Sequence, residues 1–313
     1  VMYDTLLAEV NNRSAQMVKA SVLQGKDFKV DVTGLTANAK YYYCAYLLLN
    51  GMQYEYGAVK EFTTQSASFV AKPFSVSATK TVTFSPGNLQ YHPANDEWRF
   101  APSQTDYIGE ANANISSTYN GWIDLFGWGT GNNPTNIDMR YDYSPSFDDR
   151  TFVDWGVNRI GSYAPNTWRT LTYDEWEYIT NGRPNADKLI GIAQVNGVNG
   201  LILLPDGWIC PSGVAFKSGF NYKHVTDMTE YLLCYPEYQT FCSSEWSKLQ
   251  ASGAVFLPAA GYRYGYDIIV MQIQSRYWTV TEEFSSTFEF SPGGVSGTSC
   301  PRSGGCSVRL VQD

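Results

Sequence analysis

Histidine is nearly absent from this chain. There are two in 313 residues, His92 and His224, and neither has a neighbour at ligand spacing. The six cysteines (44, 210, 234, 242, 300 and 306) also fall outside zinc-site spacing, so a His/Cys metal centre is not expected. Charge is scarce too, at 17% of residues, and basic residues are the minority: 22 Lys and Arg against 30 Asp and Glu. The resulting net charge of −8 lacks the basic footprint that nucleic acid requires. No apolar run is long enough to span a bilayer, and no signal peptide stands at residue 1. Gly-x-Ser-x-Gly, a Walker-type phosphate loop and His-Glu-x-x-His are all missing, which leaves no positive sign of catalysis.

What the chain has is rings and small polar residues. Aromatics make up 15% of it, with 23 Tyr, 16 Phe and 9 Trp, enough for a sizeable core. Gly, Asn, Ser, Thr and Tyr supply the rest of the surface, a composition used by adaptable recognition surfaces and by many extracellular β-rich proteins alike. At 313 residues two domains are the default.

Residues 1–65 read as β-structure. Phe28–Val32 alternates, Tyr41–Leu49 is a strand-prone run, Asn50-Gly51 is a strong hairpin signal, and Tyr54–Thr63 returns as the partner strand. Residues 66–73 form a polar linker. From 74 to 313, Thr79–Phe84 alternates as a strand, and Leu89–Tyr91 with Trp98–Phe100 forms an opening pair. Residues 102–162 carry little periodicity, the mark of functional or family-specific decoration. The strongest local signal is Trp168–Ile179. Thr172 is placed to N-cap a helix over 172–180, and Glu175 to complete a capping box. Leu171 and Trp176 would form the hydrophobic staple, while Tyr173, Trp176 and Ile179 face a core. Asn181-Gly182 would end this helix in a left-handed cap. Residues 189–195 and 201–204 form a hairpin that turns at either 196–197 or 199–200, the register being open. A short helix at 244–253 presents Trp246 and Leu249 inward and is capped by Gly253. Strands follow at 254–257, 277–282, 287–290 and 306–311, with 291–305 read as a Ser/Gly-rich turn.

These segments carry a resemblance. Arg169–Tyr178 is similar to the helix entry of C-type lectin-like domains of the formylglycine-generating-enzyme type. Ile202–Trp208, Val255–Arg263, Tyr277–Glu282 and the closing Gly305–Asp313 follow in that family's order, and resemble most closely the FISUMP-type domains of secreted bacterial proteins. Thr170-Leu171 departs from the enzymes, which have Leu-Pro there. Leu35–Tyr41 resembles the corner of fibronectin type III domains, with Ala37 and Ala39 in place of Pro and Thr, and gives Tyr41 the role of the ring whose hydroxyl reaches back to the turn. A complete sandwich needs about 100 residues, so residues 1–65 look like its C-terminal strands alone. The fold expected is an incomplete fibronectin-III-like β-sandwich followed by an α+β C-type lectin-like domain.

The same resemblance sets the functional expectations: export to a bacterial cell surface or periplasm, a leader already removed, and a lipid anchor upstream of Val1. The role expected is a non-enzymatic binding or adhesion protein for a glycan or a surface protein of host or bacterium. In such domains the C-terminal hairpins present the ligand surface. Here these carry Tyr262, Tyr264 and Tyr266, which alternate and therefore share a direction, followed by Arg276, Glu282 and Phe284. Tyr and Arg dominate binding hot spots. No cofactor is expected, with a structural calcium left open at Asp138, Asp142, Asp148, Asp149 and Asp154; the sugar-binding triplets of calcium lectins are absent. Enzyme relatives carry two C-terminal cysteines that bind copper or act as a redox pair. Cys300 and Cys306 flank a turn-forming pentapeptide, for which a disulfide is the simpler account, and two of Cys210, Cys234 and Cys242 could pair. Cys44 reads as a buried thiol. The rival roles are therefore an oxidoreductase using Cys300 and Cys306, and a structural surface or pilus component.

Overall fold

The computed structural model describes residues 1–18, 22–24, 27–29, 32, 40–49, 53–63, 69–136, 151–221, 228–280 and 285–313. The chain is β-rich and consists of several small, mostly antiparallel sheets. It divides into two compact units, Val1–Ser68 with Cys242–Ser247, and Phe69–Phe241 with Lys248–Asp313.

In the first unit, strands Gln16–Met17, Met2–Asp4, Lys40–Cys44 and Lys60–Thr63 form one sheet in that order. The run expected to be one strand over 41–49 breaks at Ala45. Cys44 pairs with Met2, whereas Tyr46–Leu49 pairs with Gln53–Tyr56 to make the hairpin read from the sequence. The break is a bulge in which residues 57–59 stand opposite Cys44 and Ala45, with Gly57 N donating to Ala45 O at 2.9 Å. The Asn50-Gly51 turn and the corner 33–39 lie outside the described residues. Tyr41 is buried, its ring stacked on Phe62 at 5.8 Å. Cys44 is a buried thiol beside Met2 and Val10.

The second unit is organised around its last strand, Leu310–Gln312. Thr81–Phe84 lies on one side of it, with Phe74–Ser75 beyond, and Arg169–Thr170 on the other. That places the helix start next to the chain's end. Thr172 Oγ1 accepts from Glu175 N at 3.2 Å, and Glu175 Oε2 accepts from Thr172 N at 2.9 Å, the capping box expected from the sequence. Arg169 grips the Glu175 carboxylate in two bonds of 2.7 and 2.8 Å and reaches Asp313 at 2.7 Å, tying helix, strand and terminus together. Leu171, Trp176 and Ile179 are buried as expected, but Tyr173 is only half-buried. Its ring lies over Gly297, where any Cβ would come within 2.0 Å of it. The α-helix covers only Tyr173–Glu177 and widens into a π turn over Tyr178–Gly182. Asn181 and Gly182 therefore do not form the left-handed cap read from the sequence. Arg183 N closes the turn on Tyr178 O at 2.8 Å, and Arg183 Nε takes up Ile179 O at 2.7 Å.

A second sheet runs Thr240–Phe241, Ile190–Val195, Val198–Leu203, Val255–Pro258, its first pair parallel. The hairpin turns at Asn196-Gly197, both at positive φ (51° and 82°), the two-residue turn that suits right-twisted strands. Helix Ser243–Ala251 buries Trp246 and Leu249, and Gly253 follows in the left-handed region. A third sheet is made by Ser275–Trp278, Ser286–Ser291 and Gly294–Ser299. The last of these corrects the reading of 291–305 as one turn, because Gly294–Ser299 is a strand and the turns are Pro292-Gly293 and Arg302-Ser303. Pairing with Phe288 and Phe290 draws the glycine-rich segment into the sheet.

Two cores result. One gathers Phe84, Trp176, Leu201, Leu257, Tyr277 and Phe288 between the helix and the sheets. The other, built around Trp98, Phe126, Trp128, Trp155, Trp168 and Trp278, draws heavily on the stretch read as decoration.

Candidate functional site

The hairpin Tyr262–Tyr264 with Asp267–Ile269 carries the predicted ring residues. Strand alternation sends Arg263 to the opposite face from Tyr262 and Tyr264. Arg263 is fully buried, donating from Nη1 to Gly265 O at 3.0 Å and from Nη2 to Ser303 O at 3.1 Å, and its backbone pairs in both directions with Gly305. The arginine thus pins the hairpin to the 299–305 segment. Between them opens a cleft of about 540 Å³. Tyr262, Tyr264 and Arg276 line it from one side, Ser299, Cys300 and Pro301 from the other.

Three of the six predicted ligand residues therefore meet in one cleft. Arg276 stands with its guanidinium carbon 3.9 Å above the Tyr262 ring, and its Nε donates to its cross-strand partner Glu289 at 2.6 Å. Tyr266 does not line the cleft. The hairpin turns at Gly265-Tyr266, which ends the alternation one step early and leaves that ring 57% exposed. Glu282 and Phe284 lie outside the described residues. Tyr277 and Phe288, in the adjoining strands, are core residues. Sequence reasoning missed Arg263, although the alternation of its tyrosine neighbours already placed it inward, and it missed Ser299 through the turn assignment.

Cys300, in the cleft wall, lies against the buried Cys306. They are two buried thiols with sulfurs 3.4 Å apart, in place of the disulfide expected. The hydrogen bond from Cys306 holds the Cys300 thiol below its usual value against the effect of burial, and Arg276 and Arg263 act in the same direction. Burial drives Cys306 well above. No disulfide joins any two of Cys210, Cys234 and Cys242; the first and last are exposed.

Of the calcium candidates, Asp138, Asp142, Asp148 and Asp149 lie outside the described residues. Asp154 has both oxygens committed to the backbone, accepting from Gly156 N at 2.8 Å and from Thr170 N at 2.9 Å. Among the described residues no group of three or more His, Cys, Asp or Glu is placed to hold a metal ion.

The strand segment behind the cleft carries a buried acid. Asp124 accepts from Ile108 N at 2.9 Å and from Asn112 Nδ2 at 2.8 Å, and the next residues pair Phe126 with Cys306. Among the described residues no cation bonds to it, and burial pushes its pKa up to about 6. A carboxyl raised in this way stabilises the fold fully below its unfolded value near 3.8 and loses that contribution as pH rises through 6. The loss amounts to roughly 3 kcal/mol at most. Urea unfolding of wild type and Asp124→Asn between pH 4 and 7 checks this. The wild type should lose stability relative to the variant as pH rises, whereas two parallel curves would refute the assignment.

Comparison with models of known protein families, with curated proteins and with solved structures finds no match to this chain.

Proposed function

We propose that this is a non-enzymatic binding or adhesion protein of the bacterial cell surface, whose 74–313 region is a C-type lectin-like domain and whose first unit is a fibronectin-III-like spacer. The ligand is a glycan or a surface protein, bound at the cleft of the Tyr262–Ile269 hairpin. One observation carries this reading: Tyr262, Tyr264 and Arg276, distant from Ser299 and Cys300 in sequence, converge on a single open cleft. Its dimensions suit a ligand, clefts of this kind running to several hundred Å³. Export, with an anchor ahead of Val1, belongs to the same proposal.

The thiol pair favours a second reading, an oxidoreductase of the formylglycine-generating type. Cys300 lines the cleft, but it is only 3% exposed and Cys306 not at all, a poor arrangement for a nucleophile that must reach substrate. Probing a glycan and protein array with wild type and Tyr264→Ala/Tyr266→Ala separates the two. Both rings reach solvent, so the variant should fold and lose about 30-fold in affinity, the scale of a hot-spot loss. Unchanged binding would remove the proposed surface. Copper- or oxygen-dependent turnover of a cysteine peptide, lost in Cys306→Ser, would establish the enzyme instead.

A further inference from the structure

We infer that the cleft takes an anionic sugar, a saccharide ring bearing a carboxylate or sulfate, with the anionic group received at Arg276. This rests on the binding role proposed above and adds the ligand's chemical class to it.

The first argument is the sign of the charge. The chain as a whole carries −8, yet the guanidinium of Arg276 lines this cleft, that of Arg263 is buried in its wall, and no carboxylate lines it among the described residues. Glu289 engages Arg276 through Nε, from the neighbouring strand. The Cys300 thiol reports the same field, since both arginines favour its anionic form.

Preorganisation is the second argument. Arg276 is stacked on Tyr262 and braced by Glu289, so a long side chain that is ordinarily mobile is already fixed. Binding then costs less rotamer entropy, and a planar guanidinium matches the oxygen pair of a carboxylate or sulfate.

The third concerns shape. On the hairpin side the strand Tyr262–Tyr264 is paired on both edges, with Asp267–Ile269 and, through Arg263, with Gly305. A peptide strand finds no open edge on Tyr262–Tyr264, and recognition there falls to side chains. Those available are two tyrosine rings, each with an apolar body and a polar tip, and the Ser299 hydroxyl. A sugar ring offers the matching C–H face and hydroxyl rim, and about 540 Å³ holds one or two rings.

The test is an oligosaccharide array of uronic-acid-containing and sulfated probes, each beside its carboxyl-reduced or desulfated counterpart, with acidic peptides as a further arm. Wild type, Tyr264→Ala, Arg276→Gln and Ser299→Asp are compared at low and high salt. Ser299 is exposed, so its replacement introduces a negative charge at the cleft wall without disturbing the core. Acidic probes should bind about 10- to 100-fold tighter than their neutral counterparts, the worth of a hydrogen bond to a charged group. Arg276→Gln and Ser299→Asp should each abolish that preference by weakening acidic probes far more than neutral ones, and Tyr264→Ala should weaken both alike. Equal binding of acidic and neutral sugars, still lost in Tyr264→Ala, overturns the anionic assignment and keeps the binding role. Preference for acidic peptides over every sugar overturns the saccharide. Binding insensitive to all three variants overturns the inference together with the site.

Discussion

Replacing Trp176 with alanine should destabilise the larger unit by about 4 kcal/mol, within the range for deleting a buried aromatic side chain. Trp176 is 1% exposed and lies flat on Phe288, with ring centres 4.3 Å apart and planes 2° from parallel. Phe84 and Tyr277 close the other sides at 5.7 and 6.4 Å. Its indole N–H has no hydrogen-bond partner, so the loss consists of packing and the cavity left behind. Trp176→Phe keeps the stack and should cost a fraction of that. Urea unfolding followed by circular dichroism checks both. A cost below about 1.5 kcal/mol for the alanine variant would mean that the helix is not the centre of this core.

That helix was also the most legible element, and for a physical reason. Capping box and staple are set by residues within a few positions of one another, so local sequence specifies them. The helix's end was not legible. The π turn over 178–182 is selected by Arg183, which binds Ile179 O and Asp206, and Asp206 lies 23 residues away. Helix Met228–Tyr238 escaped because Pro236 reads as a breaker. Pro236 has no N–H for the carbonyl of Leu232, and Asn199 Nδ2, from the neighbouring sheet, donates to that oxygen at 3.0 Å. Tertiary contact supplied what the helix lacked.

The second core illustrates the same limit. Trp98, Trp128, Trp155 and Trp168 come from short strands and irregular segments, and nothing periodic links them. Trp98 pairs locally with Tyr91, but the other segments are joined by backbone pairings far apart in sequence, such as Trp128 N to Arg302 O, Thr130 with Val153 and Phe126 with Cys306. For the cleft, alternation correctly placed Tyr262 and Tyr264 on one face. It could not locate the end of the hairpin, and so it carried Tyr266 along with them. The opposite wall was lost because Gly294–Ser299 reads as a turn until its partner strand is known.

Asp206→Ala should cost about 3 kcal/mol, much of it from the charge it strands. Arg183 has no exposed side-chain surface; it gives Nε to Ile179 O at 2.7 Å and Nη1 to Asp206 Oδ1 at 3.0 Å, beneath the Phe74 ring. The other carboxylate oxygen of Asp206 takes both Ser75 N, at 2.7 Å, and Ser75 Oγ, at 2.6 Å. One side chain therefore joins the π turn, the Phe74–Ser75 strand and the Pro205–Trp208 turn. Removing one partner of a buried ion pair typically costs about 3–5 kcal/mol, because the remaining charge stays buried without compensation. The lower end applies here, since the Asp206 side chain is 31% exposed and water can reach the vacated position. Arg183→Met removes the charge together with the need for a counterion and should cost far less. The two changes combined should therefore be milder than Asp206→Ala alone. A double-mutant cycle by urea unfolding reads this directly. Strict additivity of the two single variants would show that Asp206 acts through Ser75 and the turn, and that its bond to Arg183 adds nothing.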